Sequence, residues 1–354
     1  MYKRQAGFTG TFDGRGNRII GLNVTADNAG IFSTIGDSGV VKNLNIYSGN
    51  FTGTDNAGAV AGVNNGRIEN ITAFGNTVTA SGNAGGIVGE NSDLASSEFD
   101  ESENGGASIL TGNGIYDVES TGSVIAGRDT AIAGGLVGTN EGALGNSFSN
   151  SAVTSNTGTN AGLGGVVGVN TGEVQYVDSL GVTNGGDSGS SNIGGVIGIN
   201  KGNLYSSYNE SIVSGSDNVG GIIGENEGKY VGEEWETGIV SNIVNATSVS
   251  GVDKSDSSDD ASKNVGGLVG SNSGCVTNGR NNGTITGTNY VGGMVGDNAE
   301  NSQLTDLVND SSASITGEQY VGGIAGSNAG TISATDTNLI NRGSITGQQY
   351  VGGV

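Results

Sequence analysis

The sequence predicts an all-β chain wound as a parallel β-solenoid (a β-helix) of about ten to eleven 26–30-residue repeats with two loop insertions. Three observations carry this. First, a Gly-Gly-apolar-apolar-Gly anchor recurs (Gly58-Ala59 in its first copy), beginning at Gly58, Gly85, Gly134, Gly164, Gly194, Gly220, Gly266, Gly292, Gly322 and Gly352. Successive anchors lie 27, 49, 30, 30, 26, 46, 26, 30 and 30 residues apart, so two intervals carry additions. Second, an asparagine follows six residues after the start of every complete anchor: Asn64, Asn91, Asn140, Asn170, Asn200, Asn226, Asn272, Asn298 and Asn328. Third, the pieces between anchors are short, β-branched and bounded by Gly, Asn and Ser. Each glycine in a helix would cost about 1 kcal/mol relative to alanine, so these are strands joined by turns.

Taken in order, residues 1–5 (Met1 to Gln5) read as a translated sequencing-adapter scar and are set aside. Residues 6–57 form opening, capping repeats. Within them Ile19 to Val24 predicts a strand with Ile20, Leu22 and Val24 on one face, and Val41 to Ile46 a second alternating strand. Residues 58–354 are the array, which stops in mid-motif as a fragment of a longer protein would.

Each unit offers three extended pieces: the anchor, a piece after the asparagine (Gly66-Arg67-Ile68, Gly202-Asn203-Leu204) and a Val/Ile-Thr/Ser pair (Val78-Thr79, Ile285-Thr286). One unit cannot bury its apolar face alone; stacking as parallel, in-register coils about 4.8 Å apart does so. The asparagines then become a ladder, because an amide donates and accepts along the column while still bonding turn backbone. The anchor glycines permit a positive φ or a close backbone approach at a corner. Both central anchor residues are apolar, which a one-faced strand does not explain. Insertions at about 93–117, with Glu98 to Glu103, and about 229–262, with Trp235 and the Asp253 to Asp260 run, read as lateral loops.

Composition narrows function. The chain holds 70 glycines, no proline, no histidine and one cysteine, with a net charge of −22. Such acidity repels nucleic-acid phosphates and anionic lipid, and no apolar run is long enough to span a bilayer. The lone Cys275 can form no intramolecular disulfide. Without histidine there is no Ser-His-Asp or Cys-His catalysis and no His-bearing zinc site, and the glycine anchors lack the helix and lysine of a phosphate loop. No cofactor, metal site or catalytic residue is expected.

The anchor, in copies such as Gly135-Leu136-Val137-Gly138 and Gly267-Leu268-Val269-Gly270, resembles the GLUG repeat, and Phe8 to Gly16 resembles the usual start of such arrays. The resemblance covers nearly all of residues 8–354. It implies a β-solenoid on a bacterial cell-surface or secreted protein of adhesin type, with no catalytic residues to carry over.

The expected role is therefore a structural and adhesive shaft, extracellular or on a bacterial surface, whose partners are host or matrix glycans or proteins. Tyr230 and Trp235 are the candidate ligand contacts, because exposed aromatics stack on sugars or anchor partners; the alternative for Trp235 is a cap over an interrupted coil. The competing function is a β-helix polysaccharide lyase or hydrolase, which needs carboxylates in register on adjacent coils. Glu90, Glu225 and Asp297 share a position but come from non-adjacent repeats. Asp253, Asp256, Asp259 and Asp260 could offer oxygen ligands, yet their spacing is that of no known calcium loop and reads as a solvated segment.

Overall fold

The computed structural model describes residues 7–92, 112–128, 131–155, 162–186, 190–232, 234–253, 262–335 and 338–354. Its described residues form β-strands and turns without helix, as one parallel β-solenoid. Thirty strands hydrogen-bond into one continuous parallel sheet and ten into a second; a two-stranded antiparallel hairpin stands apart. A representative coil runs through Lys263–Gly266, Val269–Asn272, Cys275–Asn281 and Thr284–Thr286, after which Asn289–Gly292 begins the next. Register holds from coil to coil, with Val269 beside Val295, Val276 beside Leu304 and Ile285 beside Ile315. The core is accordingly a set of aliphatic columns running the length of the rod.

The pair of central apolar residues has a geometric explanation. Ile222 sits in the bend and Ile223 opens the following strand, so the chain turns a corner between them and both are fully buried. The corner is held by one carbonyl taking two amides: Ile222 and Ile223 both donate to Leu268 O, each at 2.9 Å. Leu268 and Val269 repeat this onto Met294 O. The anchor glycines serve close approach and not positive φ, since a Cβ on Gly220 would lie 1.9 Å from Ile223 O.

The long strands are bent by a column of left-handed residues, including Asn43, Asn70, Asn146, Tyr176, Asn242 and Asn278, with φ of 48–55°. A left-handed residue breaks period-two alternation, so apolar residues three apart both point inward: Val41 with Leu44, Ile68 with Ile71, Val240 with Ile243. Asparagine tolerates this backbone best among residues with a side chain.

The opening segment corrects one expectation. Ile20 is 68% exposed; Ile19, Leu22 and Val24 pack on the core instead. Gly21, at φ +67°, interrupts the strand and shifts the inward phase by one residue. Residues 7–57 are otherwise coils in register with the array, and Ile35 fills the column that Asn64 occupies one rung on. Phe8, Phe12 and Phe32 cluster over this end, with ring centroids 4.7 and 5.7 Å apart.

Both insertions are shorter than the expected bounds of 93–117 and 229–262. Residues 93–111, including Glu98 to Glu103, lie outside the described residues, but Gly114–Ala126 is already a coil strand, so the first addition ends before residue 114 and not at 117. The second is no single 229–262 loop. Ile239–Asn245 and Val249–Gly251 are ordinary coil strands, with Val240, Ile243 and Val249 buried in register with Val276, Gly279 and Ile285. Two additions flank them: a hairpin before Gly238, and a segment closed where Asp253 accepts a hydrogen bond from Ser262 N at 2.7 Å. Asp256, Asp259 and Asp260 lie outside the described residues, as do Met1 to Gln5.

Candidate functional site

All nine expected asparagines form one column. Each Nδ2 donates to the next Oδ1: Asn64 to Asn91, Asn91 to Asn140, Asn140 to Asn170, Asn170 to Asn200, Asn200 to Asn226 and Asn272 to Asn298 at 2.8 Å, Asn226 to Asn272 at 2.9 Å, and Asn298 to Asn328 at 2.7 Å. The second Nδ2 proton caps the following turn, as in Asn226 to Gly238 O at 3.0 Å and Asn200 to Gly202 O at 3.1 Å. Asn64 to Asn298 are fully buried and Asn328 is exposed. Every internal amide is therefore satisfied without water, and the column is a structural spine.

A second buried column went unforeseen. Asn209, Asn245, Asn281, Asn309 and Asn341 hydrogen-bond in sequence at 2.9–3.0 Å. Ser120, Ser149 and Ser179 fill the same column in earlier coils. Its steps of 36, 36, 28 and 32 residues follow the variable loops, which hid it from a search keyed to the anchors. The available signal was Asn ending each long strand, as in Asn281-Asn282-Gly283.

Tyr230 and Trp235, paired across the hairpin strands Lys229–Val231 and Glu234–Thr237, meet edge to face with centroids 5.2 Å apart at 61°. The hairpin leaves the coil at Gly228, where Trp235 lies so close that a Cβ would fall 2.4 Å from the indole. Gly238 takes the structural place of Gly202 and Gly274: its N–H donates to Gly202 O and its carbonyl accepts from Cys275 N. Residues 228–237 are thus spliced between Glu227 and Gly238 of an otherwise ordinary turn. The indole is half-buried against the coil while Tyr230 is 54% exposed. Trp235 covers the coil at Gly228 and also lines a surface groove.

Facing the two rings across a groove of about 600 Å³ are Asn301, Ser302, Gln303 and Thr331. Gln303 and Thr331 stand in register on successive coils, so the floor follows the solenoid axis. Ser302 Oγ is fixed 2.7 Å from Asn298 Oδ1, tying the wall to the spine. Sequence reasoning missed these four residues. The signal for Asn301, Ser302 and Gln303 is the turn after Asn298, two residues longer than the turn after Asn272; Thr331 comes from the next coil.

The carboxylates are arranged otherwise. Glu90, Glu225 and Asp297 share an outward column in which each is flanked on both rungs by uncharged residues; Ile199 and Ser271 flank Glu225. Burial pushes the Glu225 carboxyl up, and the nearby Glu227 adds to this while Lys201 opposes it. Lys201 itself pairs with Glu227 at 2.9 Å. Burial also lifts Glu173, against a 2.7 Å hydrogen bond from Asn203 Nδ2. None of these groups lines the aromatic groove.

Comparison with known proteins adds one local match. The chain is 42% identical over 62 residues to halomucin of Haloquadratum walsbyi, covering 17% of this chain and 1% of that protein. No family model matches the chain, and no solved structure matches it.

Proposed function

We propose that this chain is a structural and adhesive shaft of a surface or secreted protein, with the hairpin groove as its point of contact. The observation that carries the reading is the contrast between a coil repeated with little change along the rod and a lateral groove lined by exposed Tyr230, half-buried Trp235 and amides. A solenoid keeps a constant cross-section and lengthens by duplication, which suits reach and presentation. Tyrosine and tryptophan are the side chains most often found at the energetic centre of contacts. The local similarity to halomucin and the resemblance to GLUG repeats support the same extracellular placement.

Adhesion of the full chain to immobilised matrix proteins and glycans should be compared with that of a variant lacking residues 228–237, which restores the regular Asn226-Glu227-Gly238 turn. Retained parallel-β circular dichroism with lost adhesion supports the reading. Equal adhesion by both would reduce the chain to a spacer.

A further inference from the structure

We infer that the groove between the hairpin and the 299–302 turn holds an uncharged saccharide segment, an inference that rests on the adhesive reading above and names its ligand class. Two departures from the repeat meet there. One is the spliced hairpin of residues 228–237; the other is the lengthened turn after Asn298. They belong to different coils, yet Tyr230 and Trp235 of the first face Asn301, Ser302 and Gln303 of the second. The groove is open to solvent, and its volume of about 600 Å³ lies in the ordinary range for small-ligand sites.

The lining matches a neutral sugar ring. The rings of Tyr230 and Trp235, held by their mutual edge contact and by the close fit of Trp235 on Gly228, offer an apolar surface to the C–H face of a pyranose. The Asn301 and Gln303 amides and the Thr331 hydroxyl both donate and accept, which suits sugar hydroxyls that do the same. Gln303 and Thr331, about 4.8 Å apart on neighbouring rungs, set these partners along the rod axis.

Charge selects against anionic glycans. Among the described residues, no charged side chain lines the groove. The hairpin's one cation, Lys229, is paired with Glu236, while Glu234 is exposed nearby and the chain carries −22 overall. A sulfate or uronate entering here would find no counter-charge and a repulsive field.

Isothermal titration decides the matter, using neutral oligomers of glucose, galactose, mannose and N-acetylglucosamine beside oligouronates and sulfated oligomers. The full chain should bind a neutral oligomer with an affinity that does not change between low and high salt. Trp235→Ala and Gln303→Ala should each weaken it by about tenfold or more, and excision of residues 228–237 should abolish it. Binding of the anionic set at equal or greater strength, or of no oligomer at all, overturns the inference. If matrix proteins still adhere through the hairpin while no saccharide binds, the ligand class falls and the adhesive reading stands. Adhesion that survives the excision overturns that reading instead.

Discussion

Gly221 rests directly on Asn245: a Cβ built on this glycine would lie 2.5 Å from the Asn245 side-chain amide carbon and 2.2 Å from Gly267 O. The second anchor glycine of internal coils thus lies over the second polar column, as Gly195 does over Asn209 and Gly267 over Asn281. The interior is too narrow at this point for even a methyl group, because two hydrogen-bonded columns and a sheet corner converge there.

Gly221→Ala should therefore destabilise the chain by about 1–3 kcal/mol, the usual cost of overpacking a well-filled interior. Gly353→Ala, where a Cβ meets nothing within 4 Å, should leave denaturant unfolding unchanged.

Asn226→Ala removes one rung of the spine, leaving one Asn200 Nδ2 proton without its acceptor and Asn272 Oδ1 with only Gly274 N in a dry interior. Loss of about 1–3 kcal/mol is expected in chemical unfolding. The same substitution at exposed Asn328 should cost distinctly less. Equal effects at the two sites would show that burial is not what gives the ladder its strength.

Thr183 stands in a column of Val153 and Val213, fully buried, with its hydroxyl unpaired. Thr183→Val should raise the free energy of unfolding by about 1 kcal/mol or more, since it removes a buried polar group that lacks a partner. A fall in stability would indicate that this hydroxyl is bonded in solution.

Glu173 and Glu225 titrate above the ordinary carboxylate value of 4.5, chiefly through burial. The folded chain then holds protons that the unfolded chain has released, so stability falls as pH rises from 4.5 through the folded-state values. Glu225→Gln and Glu173→Gln should each flatten the decline in melting temperature as pH rises above 4.5. An unchanged slope would remove these groups from the acid side of the profile.

Asn218 is left-handed at φ 50° and donates to Asn192 Oδ1 at 2.8 Å. Asn218→Val should cost about 1–3 kcal/mol and Asn218→Gly clearly less, because a β-branched side chain resists this backbone and glycine does not. Tyr290, Tyr320 and Tyr350 hold the same position in the last coils at φ 52–53°, their rings stacked 4.8–4.9 Å apart in place of amide bonds.

Periodicity by itself determined the parallel coil, the aliphatic columns and the Asn64–Asn328 spine, because in-register stacking makes every coil answer to the same offsets. What depends on a backbone angle or on two distant departures was decided only in three dimensions. Left-handed Asn242 turns Val240 and Ile243 to one side, a spacing that reads in sequence as no strand at all. Residues 229–262, within the 46-residue gap between Gly220 and Gly266, read as one loop, whereas Val240 and Val249 lie in the core. Tyr230 and Trp235 stood out as aromatics in a polar stretch, yet Asn301, Gln303 and Thr331 joined them only through the stacking of coils. A local pattern specifies what repeats; where two irregularities meet is set by how the rungs lie over one another.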